Sequence, residues 1–352
     1  MKLLVTGGAG FIGSNFIRYM LAEYEDVEIV NMDTLTYAGN LENLTTVEED
    51  PRYTFVHSNI ASLDDVSAVF RSHTFEAVVN FAAETHVDRS IHLSVEPFIE
   101  TNIMGVQNLL DEGGAHGIKR FLQVSTDEVY GTLGTEGKFC ETSPIEPNNP
   151  YAATKAAADF LVRAAHKSHG LDVVITRCSN NFGPYQFPEK LIPLMIANAE
   201  EDKPLPVYGD GMHVRDWIYV RDHCSAIDTV LKKAEPGSVY NIGGNHDVPN
   251  IEIVKLILKI LGKPESLIKY VEDRPGHDRR YAMDSEKISA DLGWEPVHTF
   301  EEAMKATVEW YLKNRTWWER IRSGEYTKYY DTMYGKRKTV DNEPGCQDGV
   351  WP

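Results

Sequence analysis

The feature that most constrains this chain is a glycine-rich turn, Gly7-Gly8-Ala9-Gly10-Phe11-Ile12-Gly13, set directly between the strand-like run Lys2 to Thr6 and a helical pattern through Phe16, Ile17, Met20 and Leu21. Glycines let the backbone turn tightly and approach a pyrophosphate, whose charge then meets the unpaired amides and positive dipole end of the following helix. Strand, glycines and helix occur in the order that dinucleotide binding requires. Asp33 follows at the end of a second strand, about 20 residues beyond the turn, where a carboxylate accepts hydrogen bonds from an adenosine ribose and repels a ribose phosphate. That selects NAD over NADP.

Short apolar runs alternate with longer helical stretches: Lys2 to Thr6, Glu28 to Asn31, Tyr53 to His57, Ala77 to Phe81, Arg120 to Val124 and Val173 to Arg177. The alternation predicts an α/β fold, a Rossmann-type doubly wound parallel sheet with helices on both faces. From about Phe187 the order loosens around Pro188, Pro193, Pro204 and Pro206, and helices begin near Asn250, Asp284 and Thr299. The expected division is a cofactor domain over 1–186, with a strand near 238–242 returning to its sheet, a smaller mixed α/β substrate domain over 187–335, and a polar mobile tail over 336–352.

The 352 residues are 42% hydrophobic and 25% charged, which suits a globular protein with a sizeable core. No apolar run approaches the roughly 20 residues of a membrane span, and the chain opens without a signal-peptide pattern, so a cytoplasmic protein is expected. Cys140, Cys178, Cys224 and Cys346 are too scattered for a zinc site or a disulfide scaffold, and no metal is expected. A formal charge of −18 repels nucleic acid and anionic membranes, so a phosphate-bearing ligand requires a local basic pocket.

Tyr151 and Lys155 lie one turn apart at the start of a helix introduced by Asn148-Asn149-Pro150, so both project from one face. An ammonium beside a phenol lowers its pKa from about 10 and prepares it as a base. Such a pair arises by chance in many helices; its weight comes from following a dinucleotide domain. The fifth strand runs into Ser125-Thr126-Asp127-Glu128, which puts hydroxyls and two adjacent carboxyl groups at the sheet edge where ligands bind. A helix cap with acidic first-turn residues is the competing account of either carboxylate. Asn59 and Ala82-Ala83 fall at the switch-point crevice, a position that suits cofactor contact and ordinary loop residues equally.

These residues resemble the extended short-chain dehydrogenase/reductases over Met1 to Arg320. With Ala83-Glu84-Thr85-His86-Val87-Asp88-Arg89-Ser90 and Asn180-Asn181-Phe182-Gly183-Pro184-Tyr185, they resemble more narrowly the nucleotide-sugar 4,6-dehydratases. The resemblance implies dTDP-glucose as substrate, NAD as cofactor and a homodimer formed through helices near Glu96 to His116 and Pro150 to His169. It implies that Tyr151 deprotonates the sugar 4-hydroxyl as hydride leaves C4, with Thr126 on the same oxygen and Lys155 on the ribose. Glu128 then removes the C5 proton, Asp127 protonates the departing 6-hydroxyl, and hydride returns to C6, giving a 4-keto-6-deoxy sugar. Two neighbouring carboxyl groups suit that elimination because repulsion drives their pKa values apart.

For the cofactor the resemblance implies Gly7, Gly10, Phe11, Ile12, Gly13, Asp33, Thr36, Asn59, Ile60, Ala82, Ala83, Thr101, Ser125 and Asn181 beside Tyr151 and Lys155. For the substrate it implies Arg215 and Arg274 on the diphosphate, Thr85, Asn180, Glu189, Lys190 and Asn250 around sugar and phosphate, and Tyr208, His277 and Tyr281 towards the nucleoside. Asn59 stands where the family usually has aspartate, and Thr85 where it commonly has serine. A UDP-glucose dehydratase shares the whole catalytic motif. An epimerase needs no acid and base for water loss, a decarboxylase does not require Asp127, and a binding protein that had lost its chemistry has no use for the Tyr151, Lys155 and acidic set.

Overall fold

The computed structural model describes residues 1–273 and 277–322. In chain order the strands are β1 (Lys2–Thr6), β2 (Glu28–Asp33), β3 (Tyr53–His57), β4 (Ala77–Asn80), β5 (Arg120–Thr126), β6 (Val173–Cys178), β7 (Asn180–Phe182), β8 (Leu205–Tyr208), β9 (Val214–Tyr219), β10 (Val239–Ile242), β11 (Asp247–Pro249) and β12 (Ile268–Val271). The helices are α1 (Phe11–Glu23), α2 (Leu63–Ser72), α3 (Val87–His92), α4 (Glu96–Ile99), α5 (Val106–Ala115), α6 (Pro150–His169), α7 (Leu191–Glu200), α8 (Val220–Lys233), α9 (Asn250–Leu261), α10 (Glu286–Leu292), α11 (Phe300–Lys313) and α12 (Arg315–Ile321).

Seven strands form one parallel sheet in the order β10-β6-β5-β4-β1-β2-β3. Its inner strands are largely apolar, because helices bury both faces, and the buried polar side chains among them, Asn31, Asn80 and Gln123, bond to other side chains. Phe16, Ile17 and Met20 of α1 pack on one face with Ile227 and Val230 of α8. Val66 and Phe70 of α2, Leu109 of α5 and Val162 of α6 pack on the other. The order reverses between β1 and β4, which opens the switch-point crevice at the carboxyl ends of the strands. A second core joins α7, α9 and α11 to Trp217, Trp317 and Trp318.

Several boundaries differ from the periodic pattern by one or two residues. β5 runs on to Thr126, two residues beyond the apolar run, because its pairing with β6 continues to Thr126 opposite Cys178. The helix expected near Asp284 begins at Glu286, since the Asp284 carboxylate accepts from the Glu286 amide in a turn ahead of it. Among the described residues no helix is long and apolar enough to cross a membrane.

Candidate active site

The crevice begins at the glycine turn. Gly7 has φ +69, and a Cβ there would lie 2.5 Å from the Ala82 nitrogen. A Cβ on Gly13 would lie 2.4 Å from the Gly7 carbonyl oxygen. The turn therefore stacks on the β4 loop at a separation that only glycine allows. Asp33 closes it from β2: one carboxylate oxygen accepts from the Ala9 amide at 2.9 Å and the other from Leu35 at 2.8 Å. Burial raises the Asp33 pKa and these two bonds oppose the rise. Each oxygen keeps a second lone pair, the capacity a ribose diol requires.

Across the cleft, Asn149 caps α6 by accepting from the Ala152 amide at 2.9 Å, and Pro150 takes the first helical position. That cap sets Tyr151 and Lys155 on the inward face, 7% and 4% exposed. The Asn149 side-chain amide also donates to Glu128 at 3.1 Å, so one residue starts the helix and holds a carboxylate. Thr126 accepts from the Glu128 amide at 3.2 Å and starts the turn Asp127–Tyr130. A buried relay behind that turn fixes it to the sheet. Arg177 pairs with Asp159 at 2.9 Å and donates to the Tyr130 hydroxyl at 2.9 Å, which in turn donates to Asn241 at 2.7 Å.

The electrostatics follow from burial. Asp127 is held well above the usual carboxylate range by desolvation, then by the neighbouring Glu128 charge, against a smaller pull from Arg215. One Asp127 oxygen accepts from Thr126 at 3.3 Å and the other has no hydrogen-bond partner. It is suited to donate a proton. The Tyr151 phenol is pushed well above its ordinary value by desolvation and by Glu128. This departs from the expected lowering by Lys155, whose ammonium donates to the Val124 carbonyl at 2.8 Å and whose own pKa falls through burial. Removing a phenol from water outweighs a cation aimed at another acceptor.

One cleft, about 1580 Å³ with its open mouth, is lined by Gly7, Gly10, Phe11, Ile12, Gly13, Asp33, Thr36, Asn59, Ile60, Ala82, Ala83, Thr101, Ser125 and Asn181. Thr85, Thr126, Asp127, Glu128, Tyr151, Lys155, Asn180, Glu189 and Lys190 line the same cleft. The glycine cradle, the Asp33 carboxylate and the buried, unpartnered Ser125 hydroxyl on its floor fit a dinucleotide.

The other expected substrate contacts form an adjoining cluster instead. Arg215 stacks over the Tyr281 ring at 4.4 Å and donates to the Asp278 carbonyl at 2.8 Å. Tyr208 donates to Asp88 at 3.3 Å, and the Asn250 amide to the His213 carbonyl at 2.9 Å. His277 lies face to face with His213, ring centroids 3.8 Å apart, with Asp273 bonded to both. Arg274 and the 336–352 tail lie outside the described residues.

Sequence reasoning missed Asn102, and it missed Tyr37, the partner of the expected Glu189. Asn102 brackets the β4 loop, accepting from the Glu84 amide at 2.9 Å and donating to the Glu84 carbonyl at 3.0 Å. Glu189 accepts from Tyr37 at 3.1 Å within 4 Å of His86 and Arg89, and burial pushes its pKa up to about 7. In the sequence only the short, polar character of Asn102 within an apolar helical run could have marked it.

Comparison with known proteins places this geometry. The family model described as GDP-mannose 4,6 dehydratase matches residues 4–307. A dTDP-glucose 4,6-dehydratase of Xanthomonas campestris pv. campestris (strain B100) is 52% identical over 341 residues, 92% of this chain and 96% of that one. The chain belongs to the dTDP-glucose 4,6-dehydratase family. A crystal structure of a Streptomyces venezuelae dTDP-glucose 4,6-dehydratase with NAD bound superposes with a TM-score of 0.88 at 49% identity, covering 91% of this chain and 100% of that one. The Thermotoga maritima UDP-glucose 4-epimerase shares the fold, with a TM-score of 0.83 over 90% of this chain and 100% of that one, but only 29% of the sequence. In this chain the adjacent carboxyl groups of Asp127 and Glu128 line the cleft.

Proposed function

We propose that this protein converts dTDP-glucose to dTDP-4-keto-6-deoxyglucose and water, using NAD that it regenerates in each turnover. The reading rests on one observation: a phenol, a hydroxyl and a buried carboxyl beside a second carboxyl line the same cleft as the glycine turn, and burial raises the pKa of the first. Identity of about half the sequence to dTDP-glucose 4,6-dehydratases over nearly the whole chain supports the substrate.

Gly7, Gly10, Gly13 and Asp33 would hold NAD at the pyrophosphate and ribose, with Ser125, Lys155 and Asn181 towards the nicotinamide. When bound, NAD supplies a cationic ring that favours the Tyr151 phenolate and an acceptor that takes hydride from C4 and gives it back at C6. Tyr151 accepts the proton of the 4-hydroxyl, and Thr126 donates to the same oxygen. The resulting ketone acidifies C5. Glu128 takes the C5 proton while Asp127 gives its own to the 6-hydroxyl, which leaves as water, and Glu128 later returns its proton to C5. Asn149 keeps Glu128 aimed during both transfers.

On this reading residues 1–186 and the β10 strand serve the cofactor and residues 187–335 the nucleotide sugar, with Arg215, Arg274, Asn250, Tyr208, His277 and Tyr281 towards diphosphate and nucleoside. Exposed Leu93, Ile99, Met104 and Phe160 on and beside α4 and α6 support a homodimer through those helices. Free Cys140, Cys178 and Cys224 support a reducing, cytoplasmic setting. The test is to incubate purified protein with dTDP-glucose or UDP-glucose and no added NAD, then measure the alkali-induced absorbance of a 4-keto sugar. Product from dTDP-glucose alone is expected. Product only from UDP-glucose overturns the substrate, and product only with stoichiometric added NAD overturns the regenerating cycle.

A further inference from the structure

His223 lies in the first turn of α8 with no solvent exposure, and nothing in the reaction above uses it. Its Nδ1 is 2.8 Å from the Asn181 side-chain oxygen, while its Nε2 is buried without a partner. Desolvation pushes its pKa down to about 3, so the ring is neutral at any working pH. A neutral imidazole carries one N–H, and an amide oxygen can only accept. The proton therefore sits on Nδ1, and Nε2 keeps a buried lone pair without a hydrogen-bond partner. An orphaned buried acceptor destabilises the fold, a burden that a purely space-filling residue such as leucine would not carry.

The other end of that bond gives the burden a purpose. Asn181 lies in β7 on the cleft lining, its side-chain nitrogen donates to the Ser179 carbonyl at 3.0 Å, and its own carbonyl accepts from Gln186 at 2.8 Å. With oxygen held by His223 and one N–H held by Ser179, the amide cannot turn over, because a flipped amide would set its NH2 against the Nδ1 proton and its oxygen against the Ser179 oxygen. The amide also reaches the Cys178 thiol, a weak acceptor on the same cleft lining, with which a ligand in the cleft competes for the second N–H. We propose that His223 is a positioning residue that locks the Asn181 amide in the orientation that donates to the bound dinucleotide.

The inference rests on the NAD reading of the cleft, and the experiment separates the two. NADH binding by protein stripped of cofactor is read by nucleotide fluorescence in the wild type, His223→Leu, His223→Asn and His223→Gln, each also in an Asn181→Ala background. An asparagine nitrogen overlays the Nδ1 of histidine, whereas a glutamine nitrogen overlays Nε2. The expected result is that Leu and Gln weaken NADH binding about tenfold, Asn restores it, and none has a further effect once Asn181 is alanine. Should Leu fail to fold, the Asn and Gln pair carries the same contrast. Equal loss for Asn and Gln, or an undiminished effect in the Asn181→Ala background, overturns the positioning role. Absence of NADH binding in the wild type itself would instead overturn the NAD reading.

Discussion

Replacing Asp127 by asparagine is expected to make the enzyme slower and more stable at once. Asp127 is 3% exposed, and desolvation together with Glu128 holds its folded pKa well above the unfolded value of about 4. Between those two values the folded state binds more protons than the unfolded chain, so stability falls as pH rises, by about 1.4 kcal/mol for each pH unit. Below the unfolded value both states are protonated and the penalty is absent; above the folded value it is complete. Asparagine is a neutral isostere: its oxygen keeps the Thr126 bond and its nitrogen replaces the protonated oxygen, so the variant carries no such slope. The same change removes the proton donor to the leaving hydroxyl, a role worth roughly 10²- to 10⁴-fold in rate, about 3 to 5 kcal/mol of barrier. Thermal unfolding of both proteins from pH 4 to 9, at equal bound NAD, should give midpoints that meet at the acid end and diverge upward in favour of the variant. Formation of the 4-keto sugar should fall by at least two orders of magnitude. Parallel midpoint curves would mean that Asp127 is ionised in the fold, and the acid role would fall with its protonation.

Arg177→Met leaves Asp159 buried without its 2.9 Å partner and frees the Tyr130 hydroxyl, so a loss of about 3 to 5 kcal/mol is expected in urea unfolding; an unchanged midpoint would show that the relay does not hold the Asp127 turn. Phe160→Asp puts a charge on the exposed apolar face of α6, where Phe160 is 52% exposed, and sedimentation should report monomers in place of dimers. A wild-type protein that already sediments as a monomer refutes that interface.

Part of the molecule was legible because its determinants are local. Gly7 to Gly13, Asp33 at the end of β2, and Tyr151 with Lys155 each depend on backbone dihedrals or on spacing within one strand-turn-helix unit, and such spacings are written directly in the chain. The sheet was legible for a related reason: strands buried on both faces are apolar at most positions. The Asn149 bond to Glu128, 21 residues away, and the Asn102 bracket on Glu84, 18 residues away, have no such signature, because a buried polar residue with a distant partner looks like any surface one.

By itself the chain determined that a glycine turn would follow the first strand, that a carboxylate would close it, and that a phenol, a lysine and two acids would lie near the sheet's edge. Only the folded structure decided how the pKa values of these groups shift. Desolvation depends on everything packed around a side chain, so the raised pKa values of Asp127 and Tyr151 and the Lys155 ammonium turned to Val124 belong to the tertiary arrangement.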